Sequence, residues 1–166
     1  TLMDSNKKLS DVNKKAVWEA IDVGTAVILA SGRPMFGVLP VARMLELDKR
    51  GGYVLAYNGG NILDCKTGKL VYERYVPKQC IEDICIAARE CDVAPLTYYK
   101  DKVISERADD EYVIKEAFCN SASIMQVDNI PEFVDYPVSK VLVVGEHKKL
   151  LPVKEKLENK YSDILE

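Results

Sequence analysis

Ser31, Gly32 and Arg33, set directly before Pro34, are the residues of this sequence best suited to chemistry. They fall between an apolar run and a helical pattern. There a serine hydroxyl and successive backbone N–H groups can hydrogen-bond an anion, and the helix dipole contributes about 0.3–2 kcal/mol. The plain alternative is a strand-to-helix turn without a ligand. Arg33 carries the same ambiguity: its guanidinium either reaches a phosphate or a polar substrate end, or makes an ordinary surface salt bridge. Asn58-Gly59 closes a later apolar run. If the two runs are neighbouring strands, the Asn58 amide can face the same edge as Ser31, the edge where open α/β sheets bind ligands. An Asn-Gly turn with no ligand role is the competing reading.

Other reactive side chains read as structural. Asp109, Asp110 and Glu111 open a helix, where acidic residues cap and complement the dipole. His147, the single histidine, starts a surface helix. The five cysteines, Cys65, Cys80, Cys85, Cys91 and Cys119, form no CxxC pair, so they are expected as buried reduced thiols and not as a zinc site.

The elements that must position Ser31 follow from periodicity and punctuation. Ser10 caps a helix expected over 11–23, and Gly24 stops it. Thr25 to Ala30 is a continuous apolar run, expected as a strand buried on both faces. Pro34 opens a helix reaching Leu47, and Gly51-Gly52 leads to a strand over 53–57. Strand, helix and strand make one βαβ unit. Beyond Gly60 a hairpin is expected over 61–64 and 69–76, closed around Lys66-Thr67-Gly68. A helix from Pro77, strands near 94–100 and 102–106, a helix from Asp109 or Asp110 to Cys119, strands over 122–127 and 139–144, a short helix at Pro131 and a last helix over 147–161 complete the pattern. The expected organisation is a parallel-sheet core over 1–60, an inserted α+β segment over 61–144, and a return to the core over 145–166. Two parallel strands are too few to stand alone, so both ends read as continuing into further core elements.

Leu29-Ala-Ser-Gly-Arg-Pro34 followed by Ala56-Tyr-Asn-Gly-Gly60 resembles the Cof-type (subclass IIB) branch of the haloacid dehalogenase (HAD) phosphatases. The opening Thr1-Leu2, before Asn6 to Ser10, resembles the stretch after that family's Asp-x-Asp-Gly-Thr-Leu motif, with Thr1 as its threonine. The resemblance implies an α/β fold: a HAD-like Rossmannoid core, partial here, with an inserted α/β cap over 61–144. It also implies a Mg²⁺-dependent phosphomonoester hydrolase acting on sugar phosphates or similar small metabolites through an aspartyl-phosphate. Both aspartates and the Mg²⁺ ligands would lie outside residues 1–166, and this segment alone would be inactive. Ser31 would be the catalytic phosphoryl ligand, while Gly32, Arg33, Asn58 and Gly59 would bind phosphate or substrate. Pro137-Val-Ser-Lys140 resembles the family's lysine motif, yet a strand follows it where the family has a helix beginning with glycine, so Lys140 is expected to begin the strand leaving the cap. The Tyr98-Tyr99 pair would line the cap face, with one ring in the core by strand alternation. A phosphomutase of the same branch, or a non-catalytic phosphate- or sugar-binding module, is the alternative.

Lys and Arg number 23 and Asp and Glu 26, a net charge of -3 without a basic stripe, which argues against nucleic acid as a partner. No apolar run approaches the roughly 20 residues of a membrane span, and no signal peptide opens the chain, so a cytoplasmic protein with a small phosphorylated partner is expected. The oligomeric state is not legible.

Overall fold

The computed structural model describes residues 2–4, 8–162 and 164; Thr1 and Asn6, which carry part of the family resemblance, lie outside them. The chain divides into two compact units, residues 1–74 and 75–166.

In the first unit, α1 (Asp11–Asp22) begins where the Ser10 side chain accepts the Asn13 N–H at 3.2 Å and ends before Gly24, whose φ is +89°. Strand β1 (Ile28–Ala30) leads through residues 31–34 to α2 (Met35–Met44), then to α3 (Leu47–Arg50) and β2 (Tyr53–Ala56). The single helix expected over 34–47 is broken at Glu46, which adopts a left-handed conformation (φ 58°). Strands β3 (Asn61–Asp64) and β4 (Lys69–Glu73) follow. The four strands form one sheet in the order β1-β2-β3-β4, with β1 and β2 parallel and the others antiparallel.

One face of this sheet carries the core. Val54 and Ala56 of β2 pack with Val38, Ala42, Leu45 and Leu47, and Val17, Ile21 and Leu29 close over them. The Trp18 indole N–H donates to the Leu45 carbonyl at 2.8 Å, tying α1 to the end of α2. The other face stays open: Ile28 is 55% exposed, its register partner Tyr53 is exposed beside it, and Tyr72 is exposed further along on β4. The expectation that the 25–30 strand is buried on both faces is thereby corrected. Its apolar run is covered on one side only, and pairing is confined to residues 28–30.

In the second unit, α4 (Lys78–Glu90), β5 (Ala94–Tyr99), β6 (Lys102–Ser105), α5 (Glu111–Asn120), β7 (Ser123–Gln126), α6 (Ile130–Phe133), β8 (Leu142–Val144) and α7 (His147–Tyr161) follow in order. The sheet order is β7-β6-β5-β8; β6 and β7 run parallel, and β5 is antiparallel to both β6 and β8. The expected apolar stripe of α4 is buried, with Ile81, Ile84, Cys85 and Ala88 inside. Asp110 caps α5 by accepting the Tyr112 N–H at 2.9 Å.

The boundary between the units differs from the expected one at 60/61. The hairpin β3-β4 extends the first sheet, because Tyr53 to Ala56 pair residue by residue with Asp64 to Asn61. At the other end α7 packs on α4: Val153 joins Ala87, Ala88 and Val93, Lys156 pairs with Glu90 at 2.6 Å, and Lys160 and Tyr161 both bond Asp83. Residues 145–161 therefore belong with the second unit.

Candidate functional site

The loop after β1 is stitched to the end of β2 by backbone bonds. Ser31 N–H donates to the Leu55 carbonyl at 2.9 Å, Tyr57 N–H to the Arg33 carbonyl at 2.9 Å, and Asn58 N–H to the Ser31 carbonyl at 3.2 Å. Ser31, Gly32, Arg33, Asn58 and Gly59 thus come together at the carboxyl ends of two parallel strands, where a βαβ unit opens toward a ligand.

Within the loop, the Arg33 N–H donates to Ser31 Oγ at 3.2 Å. That bond occupies one lone pair of the hydroxyl, and among the described residues no acceptor takes its proton. A serine held this way can donate to an anion. Ser105 makes the matching turn, accepting the Arg107 N–H at 3.1 Å, but its proton goes to the Pro95 carbonyl at 2.8 Å and its side chain is fully buried. The two serines share local geometry and differ in where the proton points.

Arg33 is partly buried, and among the described residues it faces no carboxylate. Arg50, Arg89 and Arg107 each hold an Asp or Glu at 2.9 Å or less. The surface salt bridge considered for Arg33 is therefore not formed among these residues, and its guanidinium keeps a planar fork suited to phosphoryl or carboxylate oxygens.

Asn58 is exposed and left-handed (φ 56°), as is Tyr57 before it (φ 52°), and Gly59 follows at φ 98°. Three successive positive φ values turn the chain sharply from β2 into β3. Gly59 needs the freedom of glycine there, whereas Gly60 sits at φ -61° and does not. Tyr57 went unnoticed in the sequence because a tyrosine at the end of an apolar run reads as strand. Burial raises its phenol pKa, with the Met35 backbone N–H at the start of α2 acting in the opposite sense.

The residues read as structural behave so. His147 is exposed at the start of α7. Lys140 lies just before β8 and is partly buried; burial lowers its pKa, with the Glu116 charge acting in the opposite sense. Tyr98 is buried and donates to Glu116 at 2.7 Å, and the Tyr99 ring packs 4.8 Å from Tyr136. Both rings are thus engaged in packing on opposite faces of β5. The five cysteines are free thiols, but the expectation that all are buried is corrected: only Cys80 and Cys85 are buried, Cys65 and Cys91 are partly buried, and Cys119 is exposed on α5. A concavity of about 230 Å³ lies at the amino-terminal ends of β1 and β2, between Thr25 and Tyr53. It is far from the Ser31 end, and its one charged group, Arg50, is already bound to Asp22 and stacked on Trp18.

Mg²⁺ takes carboxylate oxygens and water in an octahedron. Among the described residues no three His, Cys, Asp or Glu side chains converge, so these residues do not form a cage for the ion. No described helix is long and apolar enough to cross a membrane.

The chain is thus a two-unit α/β protein with a serine-bearing loop at the carboxyl edge of a parallel strand pair. The chain belongs to the haloacid dehalogenase-like hydrolase family, whose model matches residues 1–166. A haloacid dehalogenase-like hydrolase from Bacteroides thetaiotaomicron superposes with a TM-score of 0.88 at 34% identity, covering 95% of this chain and 59% of that one. YxeH of Bacillus subtilis, a phosphatase by provisional name, is 22% identical over 153 residues, 90% of this chain and 56% of its own length. A HAD subclass IIB sugar phosphatase shares the fold with a TM-score of 0.69 at 13% identity, covering 95% of this chain and 58% of that one. The chain thus spans less than two thirds of the length of each of these relatives.

Proposed function

We propose that the full protein is a phosphomonoester hydrolase and that residues 28–60 supply its phosphoryl-binding edge. The observation that carries this reading is the Ser31 hydroxyl, whose oxygen is held by the Arg33 N–H and whose proton is left for an acceptor. Ser31 donates to a nonbridging phosphoryl oxygen, and the Gly32 backbone and the Arg33 guanidinium add positive potential as charge builds in transfer. Asn58 and Gly59 border the same edge.

On this reading the nucleophilic aspartate and the Mg²⁺ ligands belong to residues outside 1–166, and activity depends on the ion. Choice among esters is assigned to residues 75–166 acting as a cap. Sugar phosphates are the first class to test, since one structural relative bears a sugar-phosphatase description. The test is phosphate release by the full protein from a panel of sugar phosphates and other small phosphate monoesters, with and without Mg²⁺. Hydrolysis of at least one ester, stimulated by Mg²⁺, is expected. No release from any ester in the presence of the ion overturns the proposal.

A further inference from the structure

Among the described residues the buried polar side chains are Asn61, Thr97, Ser105 and Asn120. Thr97 donates to the Lys140 carbonyl at 2.9 Å and Ser105 to the Pro95 carbonyl at 2.8 Å. Asn120 has an unpaired Oδ1, but its nitrogen anchors the amide to Glu116 Oε1 at 2.7 Å and to the Glu116 carbonyl at 2.9 Å. Asn61 differs. It is 6% exposed, and its Oδ1 is closed to solvent without a hydrogen-bond partner among the described residues. A buried acceptor left unpaired destabilises a fold, and an apolar side chain of similar size avoids that cost.

The strand register shows where Asn61 lies. It pairs with Ala56, and the residue before Ala56, Leu55, pairs with both Ile62 and Ala30. The bond from Ser31 N–H to the Leu55 carbonyl carries the β1-β2 register one residue further and sets Ser31 beside Ala56. Ser31, Ala56 and Asn61 thus form one row across the carboxyl edge of the sheet. With neighbouring strands about 4.8 Å apart, Ser31 and Asn61 stand roughly 10 Å from each other along that row. This is the span of a small phosphate ester. The terminal torsion of an asparagine is broad, so the amide can turn its oxygen toward a donor that arrives at the edge.

We propose that Asn61 is a specificity residue, whose amide hydrogen-bonds a hydroxyl of the leaving alcohol while Ser31 holds the phosphoryl group. The substrate class is then a phosphate monoester whose alcohol carries at least one further hydroxyl, as polyol and sugar phosphates do. The inference rests on the phosphoryl reading of Ser31, and it adds a reader in the first unit to those assigned to residues 75–166. A site built to pair with a hydroxyl rejects an analogue that lacks it, because the buried polar group is then left unpaired.

Asn61→Leu in the full protein tests this. On the ester that the wild type hydrolyses best, kcat/KM is expected to fall roughly 10- to 100-fold. The inhibition constant of inorganic phosphate, which has no leaving alcohol, should change less than twofold, and the melting temperature should match or exceed the wild type. If Asn61→Leu does not fold, Asn61→Ala carries the same comparison. An unchanged kcat/KM, the result expected if an ordered water is the amide's only partner, overturns the proposal. So does an inhibition constant that rises by the factor by which kcat/KM falls, since Asn61 would then serve the phosphoryl pocket or the fold. A best substrate whose alcohol has no further hydroxyl overturns it as well. If Ser31→Ala leaves turnover intact, the phosphoryl reading fails and this inference falls with it; an inert Asn61→Leu beside a damaging Ser31→Ala refutes the role of Asn61 alone.

Discussion

The Arg33 backbone N–H donates to Ser31 Oγ at 3.2 Å, in a turn that Arg107 and Ser105 repeat at 3.1 Å in the second unit. Because Ser105 spends its proton on the Pro95 carbonyl inside the core, Ser105→Ala leaves a buried acceptor unpaired. It should cost about 1–3 kcal/mol of stability, read by denaturant unfolding, while phosphate-ester turnover in the full protein stays at the wild-type level. A drop in turnover without a loss of stability would mean that the two serines do not divide as described.

Gly59 and Gly60 offer a paired test of the turn out of β2. Gly59 sits at φ 98°, although an added Cβ would meet Leu55 only at an ordinary 3.6 Å. The restriction is conformational, so Gly59→Ala should destabilise by about 1 kcal/mol or more. Gly60, at φ -61°, lies in the helical region, and Gly60→Ala should be neutral or stabilising by about 0.4–1 kcal/mol. Equal effects at the two positions, measured by thermal or urea unfolding, would contradict this account.

Much of this local structure was legible from residue type. Ser10 as a cap, Gly24 as a stop, Pro34 before a helix, Asp110 before another and Lys66-Thr67-Gly68 as a turn each act through a chemistry confined to neighbouring residues, and each appears in the structure. What depended on distant pairing was not legible. The hairpin β3-β4 could have joined either sheet, and only its pairing with Tyr53 to Ala56 decides that it extends the first. The open face at Ile28 was hidden because an apolar run looks the same whether one or both faces are covered. At the site, Ser31 and Asn58 were visible by type and spacing. Tyr57 was not, since nothing in a tyrosine announces a positive φ.

Glu106 makes stability depend on acid. Its carboxylate takes the Arg89 fork at 2.8 and 2.6 Å and the Ile130 N–H at 2.9 Å, locking α4 and the start of α6 to the end of β6. Burial pulls its pKa upward, but these hydrogen bonds and the Arg89 charge outweigh that, so it titrates below the ordinary glutamate value. A folded-state pKa lowered from the unfolded value of about 4.3 gives stabilisation that is fully present above about pH 4.3 and is lost as pH falls through the lower folded value. The melting temperature should therefore fall steeply on that acid limb. In Glu106→Gln it should start lower at pH 7 and fall less steeply; an acid limb parallel to the wild type would refute this role.

The unit boundary predicts which fragment folds. Residues 75–166 keep α7 against α4, with Val153 and Tyr161 buried and Leu157 partly so. A fragment of residues 61–144 strips that helix and carries a hairpin whose pairing partner, β2, is missing. Each large apolar side chain exposed forfeits about 1.5–3 kcal/mol, and two or three of them consume much of the roughly 5–15 kcal/mol that holds a domain together. Circular dichroism and amide dispersion should show cooperative folding for 75–166 and not for 61–144. The reverse result would place the boundary at Gly60.

The central claim is that the Ser31 hydroxyl donates a hydrogen bond to a phosphoryl oxygen, and kcat/KM of Ser31→Ala in the full protein measures it most directly. Losing a hydrogen bond to a charged group removes about 1.5–3 kcal/mol, so kcat/KM on the best phosphate monoester should fall by roughly one to two orders of magnitude. Far-ultraviolet circular dichroism and melting temperature should match the wild type, because the Ser31 hydroxyl supports no buried group other than the Arg33 turn. A variant with unchanged kcat/KM would show that Ser31 only turns the chain from β1 into α2.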